Sequence, residues 1–294
     1  MVGKEKNDYK RMSNHVYIGT IVASFLEIGL AALITVAFQI AVISSNIFTD
    51  FISNYLPTFI CPLIVYKLIL GKPKDRTEVK EVLSVKSFVL CLLVTTGIVQ
   101  IIAQISNMTI SAVGSFAGIS SRDIVDDAVS NITLEKVLLA GVIGPFMEEI
   151  VFRKVLLNRI AHMGRTYTIL ISALAFSFFH LNIYQTFYTF ALGLILGDIA
   201  FRTQSIKYTV CIHVYLNTLT LLITYFRGSF AGTCLNGFVW FCCFVAILDV
   251  FIKLRKHENP YIVDQSLRWC VTSLGFWVFL MIELLFSSCI AIYS

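Results

Sequence analysis

Nine ionisable side chains sit within or at the edges of long apolar runs: Glu27, Glu148, Glu149, Arg153, His180, Asp198, His213, Asp249 and Glu283. Asn158 and Asn217 are polar companions on the same runs. A carboxylate can take a proton from water. An imidazole can hold or polarise that water, and a carboxamide can donate to a developing oxyanion. The densest group is Gly144-Pro145-Phe146-Met147-Glu148-Glu149-Ile150-Val151-Phe152-Arg153. On a helix Arg153 stands four residues from Glu149, so the two can pair along one face. Glu148 points about 100° away and has no cation on its own helix. Phe176-x-x-x-His180 and His213-x-x-x-Asn217 follow, and His213 and Asn217 share a helix face.

The elements that carry these groups are membrane helices. Of 294 residues, 57% are hydrophobic and 14% charged, against about 25% charged in a soluble domain. Mean hydropathy is +0.81. Too few charges remain to cover a water-soluble globule, so the composition implies an all-α, polytopic integral membrane bundle. Apolar runs predict about eight to nine transmembrane helices, over 16–43, 52–70, 87–106, 136–158, 167–183, 186–201, 207–226, 235–253 and 269–292. The shortest, 186–201, is the least complete span. The first follows Lys4, Lys6, Lys10 and Arg11 and reads as an uncleaved anchor. Residues 1–294 read as a single membrane domain, with a catalytic core over about 134–226. The eight cysteines lie mostly in apolar runs and form no C-x-x-C pair, so they predict neither a disulfide framework nor a cysteine zinc site.

Charge sets the orientation. With the N-terminus cytoplasmic, all of the 23 lysines and arginines but Lys67, Arg122, Lys136 and Arg227 fall on inner segments. Residues 107–134 are then the longest outer loop, and the C-terminus is outside. The net charge of +5 follows from these basic inner loops. No basic run interleaved with aromatics suggests nucleic acid. The surroundings are the lipid bilayer, a cell membrane if the source is bacterial.

Depth allows the reactive groups to meet. At 1.5 Å per residue Glu148 lies roughly 18 Å from an inner boundary near Ile160, and His180 roughly 20 Å from one at Tyr167. His213 lies roughly 9–12 Å in. In a hydrocarbon core about 30 Å thick, all three are central.

Glu148-Glu149-x-x-x-Arg153, Phe176-x-x-x-His180 and His213-x-x-x-Asn217, in this order and each on a predicted span, resemble the three-motif signature of the CPBP intramembrane proteases. These include the CAAX prenyl endopeptidases of the Ras-converting type and bacterial Abi or bacteriocin-processing proteins. The resemblance runs from about Leu134 to Asn217, and Gly193-x-x-x-Gly197-Asp198 is in the same style. It implies an endopeptidase acting on a peptide or membrane-anchored protein substrate. Glu148 would be the general base, His180 would hold the water, and His213 and Asn217 would stabilise the oxyanion. Glu149 and Arg153 would support the helix and tune Glu148. The reading favours no metal. Were zinc bound, Glu148, His180 and His213 would be its ligands. No H-e-x-x-H, G-x-S-G or G-x-G-D pattern offers another protease chemistry. The rival readings are a catalytically inactive scaffold or immunity protein, and an ion-coupled transporter. Intact Glu148, His180 and His213 argue against the first, and the absence of duplicated halves against the second. Asp198 with Arg202 and Asp249 with Lys253 read as i,i+4 ion pairs. Glu27 and Glu283 have no assigned role.

Overall fold

Apolar runs of this length can satisfy their backbone groups in lipid only by closing hydrogen bonds within themselves, so the chain folds as helices. A computed structural model describes residues 2–44, 46–74, 76, 80–116, 133–255, 272–273, 276–278 and 280–282. Among them there is no strand. The helices are α1 (Val2–Ile40), α2 (Ile47–Ile69), α3 (Val85–Phe116), α4 (134–160), α5 (Arg165–Phe178), α6 (Ile183–Thr203), α7 (Lys207–Tyr225) and α8 (Phe230–Arg255). Six of them, all but α4 and α5, contain stretches long and apolar enough to cross a membrane. The ninth predicted span, with Glu283, lies largely outside the described residues, as do Arg122 and most of the expected outer loop.

Three expectations change. The span predicted over 87–106 runs on to Phe116, so the first part of the expected 107–134 loop is helix. The run 186–201, expected to be the least complete, extends to the 21 residues of α6. The run 167–183 breaks early instead. Helix α5 has 14 residues, and His180 lies beyond its end in the turn to α6. Leu181 takes a left-handed φ of 47°, and the Asn182 side chain accepts from the Tyr184 N–H at 3.0 Å, starting the next helix. No glycine or proline marks this break in the sequence.

Helices α5 and α6 form a tight hairpin. A Cβ on Gly193 would lie 2.9 Å from the Ala173 Cα, so glycine permits the approach. Gly97 does the same for α3 against the Cys242 carbonyl on α8. The largest core cluster joins α1, α2 and the second half of α4 to α5, α6 and α7, around Tyr17, Tyr66, Phe152 and Phe176.

One end of the bundle gathers the basic connections. The Tyr9 hydroxyl donates to the Met163 carbonyl at 3.0 Å, which ties the start of α1 to the α4–α5 turn. Arg76 Nη2 donates to Phe201 O at 2.9 Å, and the Glu81 N–H to Arg202 O at 3.0 Å. Asp198 pairs with Arg202 at 2.9 Å, as its spacing predicts, and also with Arg165 at 2.6 Å. Arg202 reaches Glu81 at 2.7 Å. Asp249 and Lys253 pair at 2.7 Å, again as expected.

Candidate active site

Helix α4 carries the two glutamates and is irregular on both sides of them. Its first turn is capped by Thr133, whose Oγ1 accepts from the Lys136 N–H at 3.2 Å. Wide π-type turns follow over Leu139–Ile143 and Ile150–Leu157, flanking the α-helical Gly144–Glu149. Pro145 supplies one cause, since it has no N–H to return to the Gly141 carbonyl. Helix α7 takes over the exposed acceptors. Thr218 Oγ1 donates to Gly141 O at 3.3 Å, and Asn217 Nδ2 to Ala140 O at 3.2 Å. Beyond the glutamates, Ser172 Oγ on α5 donates to Phe152 O at 3.0 Å. Wide turns of this kind recur where a helix must re-aim functional side chains.

Glu149 and Arg153 are fully enclosed, with Arg153 Nε 3.6 Å from Glu149 Oε2. The i,i+4 pairing expected from sequence is therefore present. Its contact is Coulombic, because none of the guanidinium nitrogens makes a hydrogen bond among the described residues. The guanidinium instead lies over the ring of Phe176, 4.4 Å from its centroid, a cation–π contact in a dry setting.

His213 stands between the two carboxylates. Its Nδ1 is 3.1 Å from Glu149 Oε1, and its Nε2 is 3.7 Å from Glu148 Oε2. A carboxylate accepts, so Nδ1 carries a proton and Nε2 is the atom turned toward Glu148.

His180 belongs to the same neighbourhood through Phe176. Its Nδ1 is 2.9 Å from the Phe176 carbonyl, which can only accept, so Nδ1 carries a proton. Both imidazoles meet the Phe176 ring edge-to-face at 84°, with centroids 5.0 Å away for His180 and 5.7 Å for His213. Phe176 is thus a shared floor under Arg153, His180 and His213. Asn217 lies one helical turn from His213, half-buried, with one amide N–H committed to Ala140.

Only Glu148 of these groups lines the cavity of about 370 Å³ between α2 and α4. Its walls are Asp50, Asn54, Tyr55 and Thr58 on one side and Glu135, Lys136, Leu139, Gly144, Met147 and Glu148 on the other. The Glu148 side chain is 22% exposed whereas Glu149 is closed off, which matches the divergence expected of adjacent helical positions. Glu27, unassigned from sequence, accepts from Thr58 Oγ1 at 2.6 Å and so braces the cavity wall from α1. Nothing local in the sequence signals that contact, because it joins helices 31 residues apart. Among the described residues no three His, Cys, Asp or Glu side chains converge as metal ligands. Of Glu148, His180 and His213, the first and last approach each other, and His180 Nδ1 is turned to the backbone.

Residues 131–219 match the model of the Type II CAAX prenyl endopeptidase Rce1-like family. That stretch contains Glu148, Glu149, Arg153, His180, His213 and Asn217, so the resemblance read from the three motifs is found again over the segment that carries them. No curated protein and no solved structure matches the chain.

Proposed function

We propose that the protein is an intramembrane endopeptidase that hydrolyses a peptide bond of a peptide or membrane-anchored substrate with water activated by Glu148. One observation carries the reading: of two adjacent glutamates, one is locked between an arginine and a histidine, and the other faces a cavity with that histidine beside it. The match to a protease family over these residues supports it.

Glu148 takes a proton from a water in the cavity while the water oxygen bonds to the scissile carbonyl carbon. The carbonyl electrons move to oxygen. His213, braced at Nδ1 by Glu149, offers Nε2–H to that oxyanion, and Asn217 offers its second amide N–H. Glu149 thus holds the imidazole in place through Nδ1, as the carboxylate of a serine-protease triad does. His180 accepts from the water at Nε2. Collapse of the intermediate breaks the C–N bond, and the proton held by Glu148 passes to the leaving amine. His213, Asn217 and His180 enter these steps already held by the hydrogen bonds above.

The test is cleavage of a mixed set of internally quenched peptides by the purified protein in lipid. The parent chain should release fluorescence, and Glu148→Gln should not. Equal rates for the two would leave the chain a catalytically idle membrane protein that keeps the fold.

A further inference from the structure

The cavity is not symmetric across the membrane. It follows α4 from Glu135 down to Glu148, roughly 20 Å of helix axis. On α2 it is lined by Asp50, Asn54, Tyr55 and Thr58, all in the first half of that helix. Both walls therefore belong to the same end of the bundle. It is the end away from the basic connections, because α2 finishes near Lys67, Lys72 and Lys74, and α4 finishes near Arg159 and Arg165. The structure gathers those connections on one face independently of any charge rule. Tyr9 is bonded to Met163, Arg165 to Asp198, Arg202 to Glu81, and Arg76 to Phe201. A face so rich in lysine and arginine is the cytoplasmic one.

We infer that the cavity opens on the non-cytoplasmic side, and that the substrate is a polypeptide segment already exported across the membrane rather than a chain end on the cytoplasmic face. This rests on the protease reading for the word substrate. The direction of the opening rests only on the fold and the charges. A cavity that runs from Glu135 to Glu148 also offers a path for the water that hydrolysis consumes, with no need for a channel through the basic end.

Two cysteine variants test the side. Asn54 is exposed at the cavity and Lys74 is exposed at the basic face. Asn54→Cys on intact cells should react with a membrane-impermeant maleimide several-fold above the parent chain, and Lys74→Cys should not. Inside-out vesicles should reverse the pattern. Labelling of Asn54→Cys only in inside-out vesicles, or from neither side, overturns the inference. A second measurement separates it from the proteolytic reading. A quenched peptide cleaved by the purified protein is given an impermeant charged tag and added outside intact cells. It should be cut at least 10-fold faster by cells carrying the parent chain than by cells carrying Glu148→Gln. Cleavage confined to inside-out vesicles refutes the outward opening while leaving the protease intact. Labelling from outside, together with equal activity of parent and Glu148→Gln in purified form, refutes the protease and leaves the opening in place.

Discussion

Two ion-pair clusters in this molecule invert the usual link between closeness and importance. At the basic end, Arg165, Arg202, Asp198 and Glu81 pair at 2.6 to 2.9 Å, with Arg165 and Glu81 about half exposed. In the core, Arg153 and Glu149 stand 3.6 Å apart with both side chains wholly enclosed. The shorter pairs that end on Arg165 and Glu81 are screened by water, so each contributes little. The longer pair has no solvent to fall back on, and removing either partner strands a charge in a dry interior. Distance ranks the geometry of these contacts, and surroundings rank their energetic weight.

The comparison can be broken from both sides. The largest expected effect is on turnover, at the one core carboxylate that keeps access to water. Glu148→Gln should lower cleavage by about 10²- to 10⁴-fold, the range for a lost general base. Its thermal midpoint should stay near that of the parent chain. A matched fall in stability would show that Glu148 is structural. Next comes Arg153→Ala, which should destabilise by about 3–5 kcal/mol by taking the one guanidinium away from the enclosed Glu149. Folded yield and melting would report it. Glu149→Gln with Arg153→Met removes both charges and should recover yield, and a double-mutant cycle should give a non-zero coupling. The double variant should remain inactive, because His213 loses the carboxylate that holds Nδ1. Recovered activity would remove Glu149 from the mechanism. At the basic end Arg165→Ala should cost within about 1 kcal/mol and leave turnover unchanged, in keeping with a solvent-shared pair. A loss as large as that of Arg153→Ala would erase the contrast. The smallest effect is none at all: chelators should leave the rate of the purified protein unchanged. A rate lost to chelation and restored by zinc alone would replace direct carboxylate activation of water with metal activation.

Much of this was legible in the residues. Composition dictates a membrane bundle, and i,i+4 spacing shows which glutamate Arg153 can reach. The 100° step between neighbours shows that Glu148 must face elsewhere. Three features were not legible, each for a physical reason. His213 contacts Glu149 across 64 residues, a tertiary choice that no local pattern encodes. His180 sits in a turn because Asn182 caps the next helix, yet no glycine or proline between Arg165 and Phe190 marks the break. The wide turn before the glutamates is supported by Thr218 and Asn217, on another helix, which satisfy carbonyls freed near Pro145. Sequence gives the proline, but it does not give the partners that make its consequence affordable.

The wide turn over Leu139–Ile143 also sets a phase. Each such turn accommodates an extra residue, so everything after it is rotated by about 100° relative to an unbroken helix. Deleting one residue from the turn would shorten the helix hardly at all, yet it would swing the Glu148 carboxylate onto a neighbouring face. The stretch behaves like the index mark on a dial, with Asn217 and Thr218 as the detent that keeps it from slipping.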